Sequence, residues 1–157
     1  MAAQVRFELR CTDPRCATLL PGDAEICDEC GNTDLARLSQ SEALLVGDAG
    51  DRRVAFSLAS GRPNIVGRSV PESPPLDVDL RRLPGSDSVH RVHARFEMQQ
   101  GEWRLTHLGR NPIVVARPEG TFVVQPGTTA ALRSGDWIQI GRIRLRLLVG
   151  PGIGFEG

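Results

Sequence analysis

Apolar and polar residues alternate with a period of two along much of this chain, the pattern of strands that bury one face. Val54, Phe56 and Leu58 alternate with Ala55 and Ser57, and Ile143, Leu145 and Leu147 alternate with Arg144 and Arg146. Between these two stretches the same reasoning predicts short strands at 64–67, 93–98, 103–108, 113–116, 121–124 and 137–140. Turn-forming clusters separate them: Asp48-Ala49-Gly50-Asp51, Pro84-Gly85, Gln100-Gly101, Pro118-Glu119-Gly120, Pro126-Gly127 and Ser134-Gly135-Asp136. Many short strands with such punctuation predict an all-β sandwich. From Thr33 to Glu42 no period decides between a strand, a short helix and a linker, and this stretch marks the expected domain boundary. The expected division is a small module at 1–38, a linker at 39–43, the sandwich at 44–149 and a flexible Gly-rich tail at 150–157.

With 157 residues there is room for one medium domain with a real core and one small appendage. Basic and acidic residues both number 19, so no general attraction to nucleic acid or to an anionic membrane is expected. A charged ligand has to be read by a local site. Met1 to Arg10 carries no signal-peptide pattern, and no apolar run approaches the roughly 18 residues of a membrane span. A cytoplasmic protein is the expectation. Every basic side chain is Arg; there is no Lys. That excludes a P-loop, a protein-kinase site and Schiff-base catalysis, each of which needs a lysine amine.

The cysteines all fall early, as the pairs Cys11/Cys16 and Cys27/Cys30. Tetrahedral zinc takes four thiolates, and a Cys-x-x-Cys turn followed by glycine, as at Cys27 to Gly31, lets backbone amides face the sulfurs while the chain reverses. The first pair is spaced more widely, with Pro14 inside, and still within reach of one ion. The arrangement resembles a zinc ribbon with one regular and one irregular knuckle. A redox pair, two disulfides or four unligated thiols are the competing readings, and disulfides are disfavoured in a chain without a secretory signal. Residues 1–38 hold too few large apolar side chains for a core of their own. Zinc, at about 10–16 kcal/mol of apparent binding free energy, would hold them. Four cysteine ligands leave no open coordination position, so the expected Zn2+ is structural, not catalytic.

Three loop segments concentrate Arg, His and Asn: Ile65-Val66-Gly67-Arg68, Val89-His90-Arg91-Val92-His93-Ala94 and Leu108-Gly109-Arg110-Asn111-Pro112. A later segment runs Leu132-Arg133-Ser134-Gly135-Asp136-Trp137 and on to Gly141. In this order, between Glu42 and Val149, they resemble the forkhead-associated (FHA) domain family. That family's pattern is a Gly-Arg turn, a Ser-Arg-x-His-Ala segment, an Asn after a Leu-Gly turn and a late Gly-Asp strand entry. The resemblance implies a β-sandwich that binds phosphothreonine peptides through loops at one end and performs no chemistry. It implies that Arg68, on the turn made by Gly67, binds phosphate, that Asn111 holds the peptide main chain, and that His93 is structural and orients the loops. The side chains suit that role, because a phosphothreonine brings about −1.5 to −2 charges and three acceptor oxygens.

Two positions depart from the family pattern. His90 stands where the family usually has Ser, and the Leu108-Gly109 turn runs directly into Arg110 and Asn111, short of the usual hydroxyl-bearing loop. Both changes remove hydroxyl donors. His90, Arg91 and Arg110 are the expected replacements, with Ser86 and Ser88 close by in sequence, and binding is expected to strengthen in mildly acid solution as the imidazole gains its proton.

The leading expectation is therefore a phosphothreonine-peptide-binding adaptor in Ser/Thr-kinase-dependent protein-protein interaction, its partners a phosphothreonine-containing protein and the kinase or its substrates. The alternative is a phosphate-independent scaffold subunit of a multiprotein assembly. Nucleic acid is a poorer partner for the cysteine module, where Arg6, Arg10, Arg15 and Arg37 face at least as many acids and Phe7 is the only aromatic. No enzyme is expected. Glu25, Asp28 and Glu29 flank a closed metal site, His107 and Asp136 lack a recognisable catalytic context, and Ser134-Gly135-Asp136 reads as a turn. Arg110 and Arg117 point to an acidic flank on the partner peptide.

Overall fold

The computed structural model describes residues 6–150 and 155–156. In chain order the strands are β1 (Arg6–Cys11), β2 (Leu19–Pro21), β3 (Leu35–Arg37), β4 (Ala43–Ala49), β5 (Arg52–Leu58), β6 (Asn64–Gly67), β7 (Val78–Asp79) and β8 (Ala94–Gln99). They continue as β9 (Glu102–His107), β10 (Ile113–Arg117), β11 (Gly120–Val124), β12 (Thr129–Ala131), β13 (Trp137–Ile140), β14 (Ile143–Val149) and β15 (Phe155–Glu156). Single 3-10 turns at Leu38–Gln40 and Ser86–Ser88 complete the regular structure. Among the described residues no helix is long and apolar enough to cross a membrane.

Eleven of these strands form two sheets, a six-stranded one in the order β11-β10-β13-β14-β4-β5 and a five-stranded one in the order β12-β9-β8-β6-β7. Alternation decides which side chains meet between them. Ile138 and Ile140 of β13 and Leu145 and Leu147 of β14 point inward against Val66, Phe96 and Leu105 of the other sheet, all fully buried. Trp137, Gln139, Arg144 and Arg146 point the other way. Each fully buried large aliphatic or aromatic side chain stabilises the fold by about 1.5–3 kcal/mol relative to an exposed one.

Strand β4 follows a different rule. Ala43, Leu44, Leu45 and Val46 are all buried, so it reads as a continuous apolar run instead of an alternating one. Ala43 and Leu45 join the sandwich core. Leu44 and Val46 face outward into a second cluster with Leu19, Leu38 and Ala55, bordered by Phe7 and Leu148. The N-terminal unit supplies that cover. Its centre is β1, paired with β2, β3 and β15. The unit also closes the free edge of β5, through a bridge between Thr18 and Val54 and a hydrogen bond from Ala55 N to Ala17 O of 2.8 Å.

Two stretches differ from their expected character. The boundary segment holds both a strand, β3, and a 3-10 turn, and it is anchored by buried Leu38, Ser41 and Ala43. Within the tail expected to be flexible, Phe155–Glu156 pairs with Phe7 and Arg6 of β1. The physical reason is that β1 presents an open row of N–H and C=O groups on that side, which a returning strand satisfies. The remaining tail positions 151–154 and 157, and the first five residues, lie outside the described residues.

Candidate functional site

Strand β6 ends at Gly67 and delivers Arg68 to one end of the sandwich. A Cβ on Gly67 would lie 2.0 Å from the Arg91 carbonyl oxygen, so the two loops touch backbone to backbone and only glycine fits. Arg68 N donates to His90 O at 3.1 Å, locking that contact. Beyond Arg68 the chain is held by buried Asp79, whose Oδ1 accepts from Ser69 N and Arg81 N, each at 3.1 Å.

His93 organises the second and third loops from inside. Its Nδ1 accepts from His90 N at 3.0 Å, so the ring proton sits on Nε2, which donates to Asn111 O at 2.9 Å. His93 N donates to Val66 O, and Leu108 N and Gly109 N donate to His93 O. Burial holds its pKa below the ordinary value; the bond to Asn111 opposes that shift, and His107 and His90 add to it. Buried His93 thus links the second and third loops through both ring nitrogens. The His93 and His107 rings stack with centroids 5.4 Å apart, and Gly109 lies so close that a Cβ would meet the His93 and His90 rings at 2.9 and 3.0 Å. Asn111 Nδ2 donates to Ser88 O at 2.7 Å, tying the third loop to the second.

These loops enclose a cleft of about 500 Å³ lined by Arg68, Asp87, Val89, His90, Arg91, Val92 and Asn111. Two of its polar atoms, Arg68 Nε and His90 Nε2, are buried without any hydrogen-bond partner. A buried polar atom left unpaired costs about 1–3 kcal/mol, and among the described residues that line the cleft these two carry it.

Of the side chains singled out from the sequence, Arg68, His90, Arg91 and Asn111 come together in the cleft, and Gly67 and His93 support it. Arg110 is exposed and does not line it. Ser86 and Ser88 do not line it either; their hydroxyls donate to Arg81 O and Gly85 O at 2.8 and 2.6 Å. Arg117 is not available to a peptide flank: its Nε and Nη2 bind Asp136 at 2.9 and 3.0 Å, and Nη2 also reaches Ala131 O at 2.7 Å. Asp136 is committed to that pair and to Arg133 N at 2.8 Å, while His107 Nδ1 donates to Val124 O at 2.8 Å. Asp87, Val89 and Val92 enter the cleft without having been singled out. Asp87 is ion-paired with Arg142, from the turn between β13 and β14, and nothing local in the sequence announces that partner.

At the other end of the chain the four cysteine sulfurs lie within 4.8 Å of one another. Cys11 and Cys30 Sγ are 3.5 Å apart and Cys16 and Cys27 Sγ 3.7 Å apart, far beyond a disulfide bond. Four sulfurs at about 2.3 Å from one tetrahedral ion would be separated by roughly 3.8 Å, so the donor set fits. The two turns that carry them are alike: the residue after each pair, Ala17 at φ +50° and Gly31 at φ +79°, takes the left-handed conformation that swings the chain away. Burial pushes the Cys11 thiol up to about 12, outweighing its hydrogen bond from Asn32. At Cys16 burial acts in the same direction, but hydrogen bonds from Thr18, Cys30 and Cys27 prevail and bring it down to about 7. A bound dication reverses the cost of ionising such buried thiols. Positive charge is already present, since Arg52 of β5 donates to Cys16 O at 2.9 Å and reaches Cys16 Sγ at 3.7 Å.

Comparison with known proteins agrees with this geometry. The FHA domain model matches residues 64–141. The oxoglutarate dehydrogenase inhibitor of Corynebacterium efficiens is 33% identical over 120 residues, covering 76% of this chain and 74% of that protein. The glycogen accumulation regulator GarA of Mycolicibacterium smegmatis is 36% identical over 77 residues, 45% of this chain and 44% of that protein. Among solved structures, the FHA domain of human APLF in complex with an XRCC1 bisphospho peptide superposes with a TM-score of 0.53 at 23% identity, over 70% of this chain and all of that one. At that identity the likeness speaks to the fold, and the sequence relatives supply the kinship. With the Gly67-Arg68 turn, the His93 strut and Asn111 in their places at one end of the sandwich, the chain belongs to the FHA domain family.

Proposed function

We propose that this protein is an adaptor that binds phosphothreonine-containing segments of partner proteins in Ser/Thr-kinase signalling, and that Cys11, Cys16, Cys27 and Cys30 hold a structural Zn2+ in its N-terminal unit. The observation that carries the first part is the pair of buried, unpartnered polar atoms, Arg68 Nε and His90 Nε2, on residues that line a cleft built by the three motif loops. A phosphate dianion offers an acceptor to Arg68 Nε and, when the His90 ring proton is on Nε2, to His90 as well, and each charge-assisted hydrogen bond contributes about 1.5–3 kcal/mol. Arg91 adds charge at the exposed margin. Asn111 spends one amide hydrogen on Ser88 O and keeps its second hydrogen and its oxygen for a peptide main chain. His90 takes the place of the family's Ser as a donor.

Similar proteins support the reading. Two relatives are named as an inhibitor and a regulator. Two FHA domains of similar fold, at TM-scores of 0.53 and 0.51, come from a complex with a bisphospho peptide and from a study of phosphothreonine-dependent interactions. The zinc part rests on sulfur spacing that fits a tetrahedral ion and on Arg52 beside Cys16.

The test is fluorescence anisotropy with a degenerate phosphothreonine peptide library and its unphosphorylated twin, using wild type and Arg68→Ala. Phosphate-dependent binding that the variant loses is the expected result. Equal, negligible binding of both libraries to wild type would instead leave a phosphate-independent scaffold.

A further inference from the structure

The cysteine unit covers one half of the outer face of the six-stranded sheet, over Leu44 and Val46. On the other half Val123 and Trp137 stand 52% and 37% exposed. Strand register sets two rows of side chains there. Ala116 opposes Trp137, which opposes Arg146, and Val114 opposes Val123 on one side and Gln139 on the other, with Arg144 beyond. The Arg144 and Arg146 guanidiniums lie 4.4 and 5.5 Å from the centre of the Trp137 ring, whose face holds both cations in place. Beside them Val114, Ala116 and Trp137 floor a hollow of about 200 Å³. Among the described residues neither guanidinium has an ion-pair partner.

The opposite chemistry sits on the connection between β2 and β3, which reads Asp23-Ala24-Glu25-Ile26-Cys27-Asp28-Glu29. Asp23, Glu25, Asp28 and Glu29 are all exposed, and among the described residues none of them has an ion-pair partner. Ile26 stands 53% exposed in their midst. The backbone of this loop is already fixed. Ala24 N donates to Pro21 O at 3.1 Å, Cys27 N to Asn32 O at 2.8 Å and Gly31 N to Cys27 O at 2.9 Å, while Ala24 and Cys27 pack inward. A loop ordered in advance loses little entropy when it docks. Both surfaces stay exposed in the single chain, so neither fills the other.

We propose that the sheet face carrying Trp137, Arg144 and Arg146 docks the acidic Ile26 loop of a second copy of this chain. Ile26 enters the hollow beside Trp137, and the carboxylates around it meet the two guanidiniums. Charge decides the occupant. Two unpaired cations over an apolar floor repel a second copy of the same face, and they call for an acidic segment with an apolar side chain at its centre, which the chain itself carries. Because every copy holds both halves, the contact closes as a two-fold dimer or a ring, or runs on from copy to copy. Neither half includes a residue that lines the cleft of Arg68 and His90, so assembly leaves that cleft open and places several of them on one body. Such an assembly gains avidity for a partner with more than one matching segment. The inference does not depend on what the cleft binds.

The experiment is sedimentation of the full chain at concentrations up to about 1 mM, in low and in high salt. It compares wild type, Arg144→Glu/Arg146→Glu, Asp23→Arg/Glu25→Arg and Trp137→Ala; all of these positions are exposed, so the substitutions spare the fold. The weight-average mass of wild type is expected to rise with concentration to about twice the monomer or more, and to fall back in high salt as the ion pairs are screened. Trp137→Ala should weaken the association by roughly tenfold. Each charge-reversed variant alone should stay monomeric, and an equimolar mixture of the two should associate again, because the reversed face then meets the reversed loop. A wild type that is monomeric throughout, an association that survives both charge reversals, or a mixture that does not recover overturns the inference. Loss of association with the face variant but not with the loop variant overturns it too, and gives the face to a different acidic segment.

Discussion

Gly67 is a position where the whole site depends on an absent side chain. A methyl group there would have to displace the Arg91 carbonyl, so Gly67→Ala is expected to destabilise the protein by about 1–3 kcal/mol, the usual cost of overpacking, and to weaken phosphopeptide binding in the fraction that remains folded. Urea unfolding and anisotropy on the same preparation separate the two effects. His93 gives a pH dependence of definite sign. Its native pKa lies below the unfolded value of about 6.5, so its contribution is intact above that pH. It is lost as pH falls below 6.5 toward the lowered native value, because the unfolded chain takes up the proton first. Wild-type urea midpoints should therefore drop as the pH is lowered from about 7 to 5, and His93→Gln should flatten that part of the profile. At this scale the sequence was informative wherever partners are close together or named by a family motif, as with Gly67, Arg68, His93 and Asn111. It was silent where the partner arrives from another strand: Arg117 reads as a free cation until Asp136 is found against it, and Asp87 gains its meaning from Arg142.

Strands were legible in proportion to how one-sided their burial is. β13 and β14 alternate and were evident from pattern alone. β4 is buried on both faces and shows no alternation, which is why the segment beside it reads as a domain boundary. The short strands β7 and β12 carry too few residues to show any period. Between elements, the Arg117–Asp136 pair ties β10 to the turn that enters β13, with side chains only 13% and 3% exposed. Removing one partner of a buried pair typically costs about 3–5 kcal/mol, so Asp136→Ala is expected to lose that much by urea unfolding. Its phosphopeptide affinity should not change, since neither residue lines the cleft. A large loss of affinity at full folding would give this pair a role in binding after all.

For the molecule as a whole, the cysteine unit is more than an appendage. It covers Leu44 and Val46 on the outer face of the six-stranded sheet, closes the edge of β5 and receives Arg52 from the sandwich. Metal removal should thus be felt in both parts. Chelation at neutral pH is expected to release one zinc per chain and to lower the Tm of the sandwich itself, with loss of the cover over Leu44 and Val46 as the cause. Cys27→Ser should do the same without chelator. Metal analysis together with calorimetry checks this, and a chain that contains no zinc and is indifferent to chelator would refute it.

By itself the sequence determined the all-β character, the early cysteine quartet, the absence of lysine chemistry and the ordered set of loop motifs. All of these are local in the chain, carried by a period of two or by residues a few positions apart. Only the tertiary structure decided that Arg68, His90, Arg91 and Asn111 share one cleft while Arg110 does not, that Arg117 is a strut, and that the cysteine unit is packed onto the sandwich. Those outcomes depend on which strands become neighbours across two sheets, and on charges and apolar faces meeting over long separations, which periodicity and spacing do not encode.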